Sequence, residues 1–177
     1  MLVTESLASL VASRLRDIPD FPERGVVFKD FTPLLADHDA LAAVVEDVVA
    51  RFRGDVDVVV GIEARGFMIG AATAYALGVG FVPVRKAGKL PAATESANYA
   101  LEYGHATIEI HSDAFTSGTR VLVMDDVLAT GGTAAATCDL VERLGGVVAG
   151  VDVVVEIAAL GGREALGARP LHALLQV

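Results

Sequence analysis

The sequence predicts an α/β fold in which helices cover both faces of a central, mostly parallel sheet. Two observations carry this prediction. Several short runs of Val, Ile, Leu and Met are almost continuously apolar, which is typical of strands buried on both faces. Longer segments with helical spacing of apolar residues lie between these runs, and such alternation produces parallel strands joined by crossover helices.

The individual elements follow from the spacing of the apolar residues. Helices are predicted where these residues recur at intervals of three and four, over residues 4–15, 41–52, 66–77 and 132–144. Strands are predicted where short runs are rich in β-branched residues, over residues 57–62, 81–85, 119–124, 147–155 and, as a sheet edge, 171–176. Asp37 and Asp39 are both candidates for the N-cap of the second helix.

Two segments do not follow the alternation. Residues 17–35 contain three prolines and predict an irregular segment around a short extended run at 25–30. Residues 86–113 form a long excursion that is polar at first and then alternates, as in a hairpin, from Thr107 to Ile110. A connection of this length inside a compact domain is typical of a lid or a binding loop. Without repeats or a linker, residues 1–177 are predicted to form one domain.

Composition restricts the class of protein. The formal charge of −9 argues against nucleic-acid binding, which needs a basic face. No apolar run approaches the ~20 residues of a membrane span, and the N-terminal residues lack the apolar region of a signal peptide. Cys138 is the only cysteine, as expected in a reducing compartment. We therefore expect a cytoplasmic protein without nucleic-acid or membrane partners.

The strongest functional signal is the stretch Val-Leu-Val-Met-Asp-Asp-Val-Leu-Ala-Thr-Gly-Gly-Thr at residues 121–133. A buried strand leads into Asp125 and Asp126, and a loop of small residues then opens a helix. Ligands of open α/β sheets lie at the carboxyl ends of the strands. Glycines let the backbone approach a phosphate closely, and the amides at a helix N-terminus supply donors. No Lys follows the glycines, so this is not a P-loop.

The two acids narrow the ligand further. Carboxylates beside a phosphate repel it unless they bind sugar hydroxyls or a metal ion. A ribose 5-phosphate satisfies both parts of the motif, with its phosphate in the loop and its 2′- and 3′-hydroxyls on Asp125 and Asp126. The alternative is an ordinary capped turn preceded by two surface acids.

Two further segments place cations after predicted strands. Arg65 follows Glu63 and Ala64 at the start of a helix, where a guanidinium can make paired hydrogen bonds to a phosphate group. Arg85, Lys86 and Lys89 put three cations within five residues of an acidic chain, which suggests an anionic ligand. Taken alone, both segments are also compatible with solvated surface charges.

Together these motifs resemble the type I phosphoribosyltransferases. Their motif for phosphoribosyl pyrophosphate (PRPP) is a hydrophobic strand, two acids and a short loop ending Thr-Gly-Gly-Thr or Thr-Gly-Lys-Thr. Three segments are similar to the adenine-specific branch: the loop at 129–133, the Arg-Lys-x-Gly-Lys-Leu-Pro run at 85–91 and the Leu-Glu-Tyr-Gly tetrad at 101–104. The resemblance runs from about Leu7 to Val155. It implies the type I fold with a small hood, about residues 1–35, and a flexible lid loop, about residues 86–113.

The resemblance also implies an activity and its residues. The expected reaction uses PRPP and Mg²⁺ to convert adenine into AMP and pyrophosphate, in a homodimer. The implied ribose 5-phosphate residues are Asp125, Asp126, Ala129, Thr130, Gly131, Gly132 and Thr133. The implied pyrophosphate residues are Glu63, Ala64, Arg65, Arg85, Lys86, Lys89 and Tyr103, and those for adenine are Val27, Phe28, Lys29 and Val127.

Three residues are implied to be catalytic. Glu102 is the candidate acceptor of the adenine N9 proton, and Asp126 and Arg65 complete the set. No direct protein ligand of Mg²⁺ is assigned, although Asp125 and Asp126 can hold the ion through ribose or water.

Other functions remain open at this stage. The nearest alternative is the same phosphoribosyl transfer to guanine, hypoxanthine, xanthine or orotate. The segments at 27–29 and 101–104 favour adenine over these bases. A PRPP-sensing transcriptional regulator is disfavoured because the chain is acidic and has no recognisable helix-turn-helix. A subunit similar to PRPP synthetase is disfavoured because the chain is too short for that enzyme's duplicated domains.

Overall fold

A seven-stranded sheet forms the centre of the computed structural model, which describes residues 6–21, 23–101 and 104–177. In chain order the elements are α1 (Leu7–Arg14), β1 (Arg16–Pro19), β2 (Val27–Asp30), α2 (Thr32–Ala36), α3 (His38–Phe52), β3 (Val58–Ile62), α4 (Arg65–Leu77), β4 (Gly80–Lys86), β5 (Thr94–Leu101), β6 (Gly104–His111), β7 (Arg120–Leu128), α5 (Gly132–Arg143), β8 (Val147–Glu156), α6 (Gly162–Ala165) and β9 (Leu171–Gln176). The sheet has the order β5-β6-β4-β3-β7-β8-β9. Strands β4, β3, β7, β8 and β9 are parallel, and β6 and β5 are antiparallel. The predicted α/β fold with a mostly parallel sheet is confirmed.

Two apolar cores lie on opposite faces of this sheet. Consecutive residues of β7 enter different cores, because side chains of a strand alternate between its faces. Val121 and Val123 pack with α5, whereas Leu122 and Met124 pack with α1 to α4. Burial on both faces explains why the central strands are apolar at nearly every position.

The start of α3 is joined to the end of α1 by one carboxylate. Asp37 Oδ1 accepts hydrogen bonds from the amides of Asp39 and Ala40 at 3.1 and 3.2 Å, so Asp37 is the N-cap. Its other oxygen accepts from Arg14 Nε at 2.7 Å. Of the two predicted candidates for this cap, Asp37 fills the position.

The prediction of an irregular segment at 17–35 is wrong in part. Strands β1 and β2 form a separate antiparallel pair, with Arg16 opposite Asp30 and Pro19 opposite Val27, and α2 follows directly. Pro19 ends β1, and Pro33 lies in the first turn of α2. Proline is tolerated at both positions because neither amide is needed for pairing there.

The excursion at 86–113 is a β-hairpin over most of its length. Strands β5 and β6 pair from Thr94 and His111 onwards, and β6 continues the main sheet by pairing with β4 at Arg85 and Lys86. Only the second half was predicted to be extended. The first half was missed because β5 supplies only Ala97 and Tyr99 to the core, which is a weak alternation.

The boundary predicted for the strand at 119–124 is also wrong. Strand β7 continues to Leu128, because the ten residues of β8 offer pairing partners as far as Glu156. Asp125 and Asp126 therefore lie inside the strand and not after it.

Among the residues described, no helix has the length and hydropathy required to cross a bilayer.

Candidate active site

The predicted site residues meet where parallel strands end at one edge of the sheet. In the pairing of β3 with β7, Gly61 lies opposite Met124. The chain that leaves β3 therefore passes beside the acids of β7, and Arg65 opens α4 at this point. The placement agrees with the rule that open α/β sheets bind ligands at the carboxyl ends of their strands.

Arg65 and Asp126 form the central contact. Arg65 Nε lies 2.9 Å from Asp126 Oδ2, and the Asp126 side chain is only 4% exposed. The N–H does not point along this line, so Oδ2 has no hydrogen-bond partner among the described residues. Buried carboxylate oxygens are nearly always hydrogen-bonded in folded proteins. This oxygen is therefore suited to accept a donor from a ligand.

The Asp125 carboxyl group is buried beside the negative charge of Asp126. Burial, together with the charge of Asp126, raises its pKa well above the usual value. Its Oδ1 accepts the amide of Asp126 at 2.9 Å and lies close to Gly66, where a Cβ would be 3.0 Å from the same oxygen. The glycine lets the first turn of α4 pack directly on the acids. The raised pKa reflects the cost of placing a second negative charge beside Asp126 in a buried position.

The loop between β7 and α5 forms a small cradle. A cavity of about 80 Å³ is lined by Asp125 and by residues 127–134. Gly131 is the N-cap of α5 and has a φ of +80°, and no side chain caps the first amides of the helix. A Cβ at Gly131 would lie 2.3 Å from the carbonyl oxygen of Gly162. Glycine is therefore required both by the positive φ and by this close contact. Uncapped amides at a helix start attract anions.

Glu63 brings the two predicted pyrophosphate segments together. Its carboxylate accepts from Lys86 N at 3.0 Å, from Arg85 Nε at 3.4 Å and from the ammonium group of Lys89. Burial alone would raise the pKa of Glu63, but the hydrogen bonds from Lys89, Lys86 and Arg85 outweigh it and lower the pKa to about 2. The acid of one segment is thus the counter-ion of the other. The peptide bond between Glu63 and Ala64 is cis.

An apolar cavity of about 280 Å³ adjoins the cradle. It is lined by Val26, Val27, Phe28, Lys29, Arg65, Val127, Ala129, Ile157 and Leu160, which include all four residues predicted for adenine. The Arg65 guanidinium carbon lies 4.8 Å from the centroid of the Phe28 ring, and Arg65 Nη1 donates to Lys29 O at 3.3 Å. The Lys29 ammonium group donates to Asp17 at 2.7 Å, which holds the lysine side chain.

Three residues of this cavity were not among the predicted site residues: Val26, which precedes the predicted Val27, and the pair Ile157 and Leu160. Ile157 and Leu160 come from the turn after β8, and Leu160 is 44% exposed. Their position at the carboxyl end of a parallel strand was the available signal. Apolar residues in a turn carry no chemical signature, so the sequence did not distinguish them from ordinary packing. Glu102 and Tyr103, two of the predicted site residues, lie outside the described residues.

The pKa of Glu63 generates a prediction about stability. A folded-state pKa of about 2, against 4.5 ordinarily, means that ionised Glu63 stabilises the fold fully above pH 4.5. This contribution is lost as the pH falls from 4.5 towards 2. We expect Glu63→Gln to lower the thermal midpoint at pH 7 by about 3–12 °C, the effect of losing about 1.5–3 kcal/mol, the worth of one charged hydrogen bond, in a protein of this size. The variant's midpoint should also fall less than that of the wild type below pH 4.5.

The control is Glu95→Gln on β5, an exposed carboxylate for which the described residues show no ion pair. Thermal melts between pH 7 and pH 3 make the comparison. An identical pH slope in the wild type and Glu63→Gln would contradict the assignment.

Comparison with known proteins agrees with this geometry. Residues 34–166 match the family described as phosphoribosyl transferase domain. An adenine phosphoribosyltransferase from Salinispora tropica is 65% identical over 96% of this chain and 91% of its own length. The crystal structure of the enzyme from Thermoanaerobacter pseudethanolicus superposes with a TM-score of 0.93 at 46% identity, covering 97% of this chain and 100% of that one. The enzyme from Saccharomyces cerevisiae, complexed with adenine and an imino-altritol bisphosphate, matches with a TM-score of 0.91 at 39% identity, covering 97% and 100%. This chain belongs to the adenine phosphoribosyltransferases of the phosphoribosyl transferase domain family.

Proposed function

We propose that this chain transfers the 5-phosphoribosyl group of PRPP to adenine, giving AMP and pyrophosphate, and so serves purine salvage. One observation carries the proposal. The apolar cavity and the glycine cradle share Val127 and Ala129, and Asp125 lines the cradle. A flat base and a phosphate joined by one ribose span such an arrangement. The yeast relative was crystallised with adenine and a bisphosphate imino sugar, that is, with a base and a separate phosphorylated sugar analogue.

The cradle is the proposed site of the 5-phosphate. Ala129, Gly131 and Gly132 allow a close approach of backbone amides, and Thr130 and Thr133 add hydroxyl donors. Asp126 Oδ2 is ion-paired with Arg65 but accepts no hydrogen bond from the described residues, so it can accept one from a ribose hydroxyl, and Asp125 takes the neighbouring hydroxyl.

The cationic segments are proposed to hold the pyrophosphate. Arg65, Arg85, Lys86 and Lys89 supply positive charge, and Glu63, Ala64 and Tyr103 belong to the same region by resemblance. In the reaction, the bond from C1′ of the ribose to the pyrophosphate oxygen breaks as N9 of adenine bonds to C1′. Charge develops on the leaving group, where fixed cations stabilise it most. The N9 proton passes to Glu102.

The apolar cavity is proposed to select the base. Phe28 and Val127 cover the two faces of adenine, while the backbones of Val27 and Lys29 read its edge. Lys29 O already accepts from Arg65, but a carbonyl oxygen has a second lone pair for a ligand. A base that leaves such a buried group unpaired loses about 1–3 kcal/mol. The hood, residues 1–35, and the lid, residues 86–113, would exclude water from the reacting centre.

Mg²⁺ is the proposed cofactor. Within the described parts of the chain, no three His, Cys, Asp or Glu side chains converge as a metal cage. This fits an ion held by one or two carboxylates, water and substrate phosphates. Asp125 and Asp126 would hold it through ribose or water, with no direct protein ligand assigned. When bound with PRPP, the ion offsets the charge of the pyrophosphate.

A cytoplasmic location stays a prediction from the single Cys138.

The function is tested with purified protein, PRPP and Mg²⁺. Adenine, hypoxanthine, guanine, xanthine and orotate are offered separately, and nucleotide and pyrophosphate are quantified for each. We expect AMP and pyrophosphate in equal amounts with adenine and little product with the other bases. Product from another base alone would refute the assignment of residues 27–29. No product from any base, with PRPP still bound, would favour a PRPP sensor.

The role of Glu102 makes a separate prediction. Glu102→Ala is expected to lower kcat by about 10²-fold or more, the usual contribution of a general base, while the KM for PRPP stays within about threefold. Asp126→Ala should instead lower kcat and raise that KM together. Glu95→Ala in the same hairpin is the control and should leave both constants unchanged. Steady-state rates of Glu102→Ala near those of the wild type would rule out the base assignment.

We also propose a homodimer across the exposed face of α4. Met68 and Tyr75 are 46% and 89% exposed and lie two helical turns apart on one side. Residues 66–77 contain no charged side chain, so two copies of this acidic chain can approach there without repulsion. Apolar helix faces of this kind are typical of contact surfaces.

Light scattering coupled to size-exclusion chromatography tests the dimer. The wild type should elute at the mass of two chains, and Tyr75→Asp should shift the equilibrium towards one chain at micromolar concentration. A wild-type mass of one chain would contradict the dimer. A dimer unaffected by Tyr75→Asp would contradict the choice of face.

A further inference from the structure

One ion pair closes the chain segment that follows β8. Arg163 Nε and Nη2 donate to the two carboxylate oxygens of Glu156 at 3.1 and 2.5 Å. Arg163 Nη1 also donates to Leu171 O at 3.5 Å, so the guanidinium bridges the end of β8 and the start of β9. The Glu156 side chain is 4% exposed and stands in the last position of β8. We call residues 157–162, between these partners, the closing loop.

The closing loop touches both proposed substrate sites. Leu160 and Ile157 line the apolar cavity. Gly162 packs against the cradle, because a Cβ on it would strike Ala129 O and lie 3.0 Å from Gly131 N. A displacement of this loop therefore moves one wall of the base cavity and the support of the phosphate cradle together.

Few side-chain contacts besides this pair hold the middle of the closing loop in place. The turn Ala158–Leu160 buries none of its residues, and in α6 only Gly162 is buried. Two backbone bonds fix the start of the loop, from Ile157 N to Leu128 O and from Ala158 N to Val177 O, both at 2.9 Å, and the buried Leu166 anchors the chain after α6. Between these anchors, the Glu156–Arg163 pair is the side-chain contact that ties the end of the loop to β8. Only Glu156 of this pair is buried, whereas the Arg163 side chain is 52% exposed, so removal of Arg163 leaves a buried carboxylate uncompensated.

We propose that Glu156 and Arg163 are positioning residues that set the affinity for the base and for the ribose phosphate at once. This inference rests on the proposed function and deepens it. Neither side chain touches the substrates, and both act through Leu160 and Gly162. Because the same loop supports both sites, breaking the pair weakens both ligands.

The chain offers a closely matched control. Arg120 Nε and Nη2 bind the carboxylate of Asp57, and its Nη1 donates to Gly54 O at 2.8 Å. This network has the same donors and the same kinds of acceptor as that of Arg163. It lies at the first residue of β7, at the edge of the sheet opposite the site. Arg120→Ala therefore reports the general effect of losing such an arginine.

The test measures KM for PRPP and adenine, kcat and the thermal midpoint of each variant. We expect Arg163→Ala to raise both KM values by about tenfold or more, since small displacements of positioning groups have large kinetic effects. Arg163→Lys should recover part of the loss, because lysine can pair with Glu156 but cannot bridge to Leu171 O. Glu156→Gln keeps the side-chain shape and should act in the same direction. Arg120→Ala should lower the midpoint and leave both KM values unchanged.

Calorimetric binding of adenine and of ribose 5-phosphate, each without turnover, separates the two proposals. If the wild type makes no AMP but binds both probes, weaker binding by Arg163→Ala still supports the positioning role. If the wild type binds both and Arg163→Ala binds equally tightly, the positioning role is refuted and the proposed function stands. Binding of neither probe by the wild type overturns both. Equal rises in KM for Arg163→Ala and Arg120→Ala would also refute the specific role.

Discussion

The parallel pairing of β7 between β3 and β8 is the constraint on which the site depends. Pairing with β3 brings the start of α4 beside the acids of β7, so Arg65 meets Asp126. Pairing with β8 runs on to Leu128 and Glu156, and the amide of Ile157 donates to Leu128 O at 2.9 Å. The loops that follow the two strands therefore leave the sheet side by side. The base cavity, the cradle and the closing loop are all consequences of this backbone register.

The chemistry of the site also answers a difficulty posed by the composition. A chain with a formal charge of −9 must hold ligands that are themselves strongly anionic. The local features available for this role are the glycine-capped start of α5 and the cations gathered from two strand ends. The overall charge is left on other surfaces, where it limits contact with other anions.

The sequence was sufficient for the parallel sheet and for locating most of the segments that meet at the candidate site, for identifiable reasons. Strands buried on both faces have an unmistakable pattern, and Asp125, Gly131 and Arg65 belong to motifs in which residue type and spacing are chemically specific. The first half of the hairpin, the continuation of β7 and the partnership of Glu156 with Arg163 were not found. Each depends on what a neighbouring segment offers, such as the length of β8, and not on the residues themselves. Leu160 was missed for the same reason.

The bond network of Glu63 has a consequence for selectivity. Arg85 and Lys89 are already neutralised in part by a carboxylate tethered between them. An anion that binds there competes with Glu63, whose local concentration is set by the fold and not by the solution. A monovalent ion such as chloride brings no more charge than the carboxylate it would displace, whereas a polyvalent ion brings several times as much. The Glu63 carboxylate therefore makes Arg85 and Lys89 selective for polyvalent anions over monovalent ones.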